Sequence, residues 1–142
     1  KEETSFATEF FPEINIVTKF ITLKTNGRLT VESGYAWDGP SGPAIDTPFF
    51  MYLSLLHDAL YQLMRMKKIQ HSRWKKADRE MERLVHKRFN VNFISKSSPK
   101  EKLLKAFWIV RIKWVLFGLR IANGEAAKPK NRKPIITVFF NG

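Results

Sequence analysis

The chain has no cysteine among its 142 residues, which removes disulfide bridges, thiolate catalysis and cysteine-ligated zinc together. Histidine is scarce too, with three residues in all. Acidic groups are outnumbered: 13 Asp/Glu against 25 Lys/Arg leave a formal charge of +12 at pH 7. There is no phosphate-binding P-loop, no dinucleotide fingerprint and no calcium loop. Ser41 lies in Pro-Ser-Gly-Pro, outside the Gly-x-Ser-x-Gly pattern of a nucleophile elbow. No segment combines a charged start, an apolar core and a small-residue cleavage site. The one stretch long enough to cross a bilayer contains Lys105, Arg111 and Lys113, charges too costly at the membrane centre for a transmembrane span.

What is present is concentrated between Gly34 and Arg65, GYAWDGPSGPAIDTPFFMYLSLLHDALYQLMR. Asp38 stands in Trp-Asp-Gly-Pro-Ser-Gly-Pro, where Pro40 and Pro43 fix φ and the two glycines permit tight turning. His57 and Asp58 then interrupt a segment otherwise apolar enough for a core. Ionisable groups in such surroundings need a partner, a hydrogen bond or a metal.

The length suits a single domain with a core of its own. From Ile14 to Val31 the signals are β, with Asn26-Gly27 marking a type I′ hairpin turn between strands near 14–25 and 28–33. Three helices are expected next. The first runs from Pro48 to about Met66 and is apolar on most sides. The second starts at Ser72 as N-cap and reaches about Phe89, with Trp74, Ala77, Met81, Leu84 and Val85 facing the core and Arg83 among the residues facing water. The third opens at Ser98-Pro99-Lys100-Glu101, a capping box, and ends near Asn123-Gly124. Its stripe of Leu103, Phe107, Val110, Trp114, Phe117 and Ile121 reads as a core face; lying in a membrane interface is the alternative, given the Lys/Arg flank and the Trp residues. Trp37, Trp74, Trp108 and Trp114 are expected as core anchors. The expected fold is thus α+β, a small antiparallel β-hairpin sheet packed on three α-helices. Residues 1–124 form one domain with 1–11 as an N-terminal arm, and 125–142 form a basic tail with an edge strand at Ile135 to Phe140.

The spaced motifs Trp-Asp-Gly-Pro-Ser-Gly-Pro, His57-Asp58-Ala-Leu-Tyr61 and Ala77-Asp78 resemble those of a family of small phage and prophage proteins. That family shows an Asp-Gly-x-Ser-x-Pro loop, a His-Asp-x-Leu-Tyr helix and a downstream Ala-Asp helix. Residues 107–118, FWIVRIKWVLFG, are similar to its closing helix, so the likeness spans about residues 30–120. It implies a fold, a candidate site and a setting in the host cytoplasm or virion. It implies no reaction.

On a helix, Asp58, Tyr61 and Arg65 share one face, with His57 beside it and Asp78 at the core boundary of the next helix. Two readings stay open. In the first, Asp38, Ser41, His57, Asp58 and Asp78 form a catalytic site, with His57, Asp58, Asp78 and Asp38 as ligands for Mn²⁺, Fe²⁺ or Zn²⁺ and a bound water as nucleophile. This is reminiscent of His-Asp phosphohydrolases, except that no His precedes His57, so Asp38 would have to take that place. In the second, Arg65 and Arg111 neutralise Asp58 and Asp78 in a structural ion-pair network, and His57 donates to the loop holding Asp38 and Ser41.

Charge adds a further clue. Residues 1–60 carry four Lys/Arg and eight Asp/Glu, whereas residues 61–142 carry 21 and five. A basic half of this kind meets DNA, anionic lipid or an acidic protein partner. The candidates are Lys67, Lys68, Arg73, Lys75 and Lys76 around the second helix, and Lys128, Lys130, Arg132 and Lys133 in the tail. No recognition helix or base-stacking platform accompanies them. Two functions follow: an accessory phage protein with a His/Asp site, acting as a metal-dependent hydrolase, or a non-enzymatic virion or assembly factor binding DNA, membrane or another phage protein.

Overall fold

The structure is a computed structural model describing residues 3–37, 48–93, 98–100, 103, 106–107, 110, 113–114, 117–118 and 125–131; for residues 88–93, 126 and 131 it describes the backbone alone. Four short strands, β1 (Thr4–Ala7), β2 (Ile16–Val17), β3 (Ile21–Leu23) and β4 (Arg28–Val31), make one antiparallel sheet in the order β1-β4-β3-β2. Strand alternation puts Ile21 and Leu23 of β3 into the core on either side of the half-buried Thr22. Leu29 and Val31 of β4 face them in register, opposite Leu23 and Ile21. The expected first strand is split in two. Thr18 turns the chain, its hydroxyl and its amide both donating to the Ile21 carbonyl, at 2.9 Å each.

The segment expected as an N-terminal arm supplies β1, which pairs with β4 from Thr4↔Val31 to Ala7↔Arg28. Phe6 and Phe10 anchor it in the core. A sequence this polar conceals a strand because only Phe6, Thr8 and Phe10 need to reach the interior. The Asn26-Gly27 turn is present, but as a three-residue loop, 25–27, instead of a two-residue one. Lys24 N–H donates to the Arg28 carbonyl, Gly27 N–H donates to the Lys24 carbonyl, and Gly27 takes φ +80°. Thr8 explains the choice. Its amide and hydroxyl both donate to the Gly27 carbonyl, at 2.9 and 2.8 Å, clasping the loop against β1.

Helix α1 (Pro48–Arg65) lies on the sheet, and from Ala59 to Arg65 every side chain is buried. Helix α2 (Trp74–Phe93) packs along it with Ala77, Met81 and Val85 inward. Asp78 meets His57 and Tyr61, while Met81 and Val85 join Leu53 and Phe50, so the two helices run antiparallel. A 3-10 turn, His71–Arg73, leads into α2, and Ser72 lies inside it. Glu125–Asn131 forms two further 3-10 turns against α1, with Ala127 fully buried.

The α+β class therefore holds, with a four-stranded sheet and two helices as elements. Of the third expected helix, the described positions from Pro99 to Gly118 have helical backbone. Its stripe corrects the expectation. Leu103, Phe107, Val110, Trp114 and Phe117 are exposed, and Trp114 is not a core anchor. Trp37 and Trp74 are half-buried, while Trp108, Ile121 and the expected edge strand at Ile135 to Phe140 lie outside the described residues. Among the described residues no helix is long and apolar enough to cross a membrane.

The Gly27 loop gives a direct test. A Cβ there would collide with the Thr8 carbonyl and press on the Phe11 ring at 2.8 Å, at a φ that L side chains resist. Gly27→Ala is expected to destabilise the fold by about 1–3 kcal/mol, read as a lower urea midpoint at unchanged slope.

Candidate functional site

The polar residues of α1 divide into two linked pairs. His57 and Tyr61, one helical turn apart with ring centroids at 4.0 Å, both reach the same oxygen of Asp78 on α2. His57 Nε2 stands 2.7 Å from Asp78 Oδ1, and the Tyr61 hydroxyl donates to it at 2.9 Å. With Asp78 Oδ1 as acceptor, the imidazole tautomer that fits this contact is the one protonated at Nε2. Burial first, then the charge and hydrogen bond of Asp78, push the Tyr61 phenol well above its ordinary range and keep it a donor. Asp78 is 6% exposed, and its Oδ2 accepts no hydrogen bond among the described residues.

The second pair begins one residue on. Asp58 Oδ1 receives Arg65 Nη2 at 2.7 Å, and Oδ2 receives the Tyr35 hydroxyl at 2.6 Å. Arg65 is 4% exposed and its Nη2 also reaches the Asp58 carbonyl at 3.4 Å. Tyr35 follows the turn at Gly34, which takes φ +89°, and its bond to Asp58 ties the chain to α1 just ahead of residues 38–47. Asp38, Ser41 and Arg111 lie outside the described residues. Of the sequence candidates, His57 and Asp78 are thus brought together, and Arg65 neutralises Asp58 as the ion-pair reading expects. His57 serves Asp78. Among the described residues, no three His, Cys, Asp or Glu side chains gather as a ligand set for a metal.

Tyr35, Glu80 and Arg83 are members of this polar framework that the sequence reading did not single out. Glu80 is 2% exposed and accepts from the Glu9 amide at 3.2 Å and from Arg83 Nη2 at 2.6 Å. Arg83 Nη2 also donates to the Ala7 carbonyl at 2.9 Å. Arg83, expected to face water, instead binds β1 to α2, and the Glu80 hydrogen bond raises its pKa further. The signal was faint: Glu80 and Arg83 at i, i+3 look like any solvated helical pair.

Between the helices runs a connector without acids. From Met66 to Ala77 it carries Lys67, Lys68, Arg73, Lys75 and Lys76 and no Asp or Glu. Lys67, Lys68, Arg73 and Lys75 are exposed, and Lys76 is half-buried. Helix α1 ends there in a Schellman motif: Lys68 N–H donates to the Leu63 carbonyl and Lys67 N–H to the Met64 carbonyl, both 2.9 Å. Lys67 occupies the position usually given to glycine, at φ +58°. Lys75 extends over the Trp74 ring and Lys76 over Phe10, at 5.4 and 5.2 Å from the centroids. In the tail, Lys128 and Lys130 both pair with Glu125, whose carboxyl they pull down to about 2 by hydrogen bonding. Glu125 offsets one of their two charges. Arg132 and Lys133 lie outside the described residues.

Two outcomes follow. Asp58→Asn leaves Arg65 buried beside a neutral amide and is expected to cost about 3 kcal/mol in urea unfolding, with His57→Ala destabilising in the same direction. The raised phenol sets an alkaline limit. Its contribution is complete below the unfolded value of 10.0 and is lost as pH climbs above it, because the unfolded chain releases a proton that the folded chain keeps. Unfolding free energy measured from pH 8 upward should fall more steeply above about pH 10 in the parent than in Tyr61→Phe.

Comparison with protein-family models, curated proteins and solved structures finds no match to this chain.

Proposed function

We propose that the chain is a phage-derived accessory protein that works by binding, meeting polyanions through the basic connector between its two helices. The observation that carries this reading is the run of exposed cations from Lys67 to Lys75, free of acids. Lys67 stands among these cations at the Schellman position, in left-handed backbone that costs a lysine roughly 1 kcal/mol and suits glycine. The His57–Asp78–Tyr61 and Asp58–Arg65–Tyr35 contacts fit the same picture. They hold α1, α2 and the start of the Asp38 loop together, and so fix the connector in space.

Binding should be nonspecific and steeply salt-dependent, since each phosphate contact releases counterions. The test is titration of duplex DNA and of anionic vesicles across a salt series. Replacing Lys67, Lys68 and Arg73 by Gln should flatten the slope of log K against log salt on DNA by about 2–3. Lys67→Gly is the sharper variant, because it should raise stability by up to about 1 kcal/mol while weakening binding. Absence of binding to either polyanion at low salt would refute the reading.

A second reading, the metal-dependent hydrolase, draws support from one observation: the buried Asp78 Oδ2 beside His57 that accepts no hydrogen bond among the described residues. His57 and Asp78, with Asp38, would be the ligands of Mn²⁺, Fe²⁺ or Zn²⁺, and the metal would supply an activated water. That reading requires a metal-dependent rise in melting temperature that Asp78→Asn abolishes. A melting temperature indifferent to these ions would dismiss it.

A further inference from the structure

The stripe that the sequence assigned to the core is on the outside. Leu103 is 75% exposed, Phe107 54%, Val110 56%, Trp114 69% and Phe117 56%. Their spacings alternate between four and three residues, so on helical backbone they fall along one side, and the Trp114 and Phe117 rings meet edge to face at 6.2 Å. Large apolar side chains exposed singly need no explanation, but five in one line do.

Charge indicates what covers them. From Lys100 to Arg120 the sequence holds six Lys/Arg and a single Glu, and Lys100 and Lys113 are themselves exposed. A second copy would bring the same positive charge against itself, and duplex DNA offers no apolar surface for Leu103, Val110 or Phe117. An anionic bilayer meets both demands. Its headgroups take the lysines and its acyl boundary takes the leucine, valine and aromatic rings. We infer that Leu103, Phe107, Val110, Trp114 and Phe117 present an interfacial surface that lies in the plane of an anionic membrane, with these side chains inserted and Lys100 and Lys113 at the headgroups. This rests on the polyanion reading above and narrows it to lipid. The interaction lies along the surface and involves no span, since Lys105, Arg111 and Lys113 fall within the stretch and are costly at a bilayer centre.

The experiment uses the whole chain with three probes: vesicles of phosphatidylcholine and phosphatidylglycerol at 3:1, vesicles of phosphatidylcholine alone, and duplex DNA. The parent should co-sediment with the anionic vesicles far better than with the neutral ones, and brominated acyl chains should quench its tryptophan emission. Trp114→Glu/Phe117→Glu should lose at least about tenfold in vesicle partitioning, because two buried aromatic side chains no longer contribute, while keeping the parent's DNA affinity. Leu103→Glu/Val110→Glu should behave alike, which guards against misfolding of the first variant. Co-sedimentation that survives both variants and vanishes only when the connector cations are removed would overturn the insertion. DNA binding with no vesicle binding would overturn this inference and leave the polyanion reading standing; binding to neither would remove both. A parent dimer by light scattering that Trp114→Glu/Phe117→Glu makes monomeric would assign the stripe to a second copy instead.

Discussion

One oxygen atom carries much of this architecture. Asp78 Oδ1 receives His57 and Tyr61, two side chains from successive turns of α1, and it is the described hydrogen-bonded link between the polar faces of α1 and α2. Apolar packing of Phe50, Leu53, Met81 and Val85 brings the helices together, but such contacts tolerate sliding. A carboxylate held by two donors does not, because a shift of one turn would leave a charge buried without a partner. The connector joins the two helices so registered, and its Schellman cap is made locally by the backbone at the end of α1.

The sheet is fixed to the helices by a second ionic device. Glu80 and Arg83 reach from α2 to the Glu9 amide and the Ala7 carbonyl, so backbone at the end of β1 is satisfied by charged side chains from the helix. Such charge-assisted bonds are stronger than neutral ones and keep their geometry. Three of the scarce acids are thus used internally. Asp58, Asp78 and Glu80 face Arg or His partners inside, and the cations left over on the connector have no acid of their own run beside them.

The parts legible in the sequence were those with strong local signals. Asn26-Gly27 announced a turn, and helical spacing placed Asp58 with Arg65 and set His57 beside Tyr61. Asp78 read as a core-boundary acid because Trp74, Ala77 and Met81 frame it. Three features stayed hidden for physical reasons. β1 is recognised by β4 through backbone hydrogen bonds, which composition does not encode. Gly27 takes the bulge position because Thr8, 19 residues away, clasps its carbonyl, and the local sequence carries no trace of that contact. The stripe from Leu103 to Phe117 has the period of a buried face, and periodicity records which side of a helix is apolar without recording what that side touches. The loop containing Asp38 and Ser41 lies outside the described residues.

The Thr8 clasp and the pairing of β1 with β4 also decide how the chain tolerates trimming. β4 is an interior strand only because Thr4–Ala7 lies alongside it. Proteolysis after Phe10 would uncover a strand bearing Leu29 and Val31, with one row of amides and carbonyls unpaired. Such an edge accepts any extended segment that fits, including the first residues of a neighbouring molecule. The amino-terminal segment therefore covers β4, and its loss would move the sheet edge onto a strand that carries core side chains, an acceptor for strand exchange.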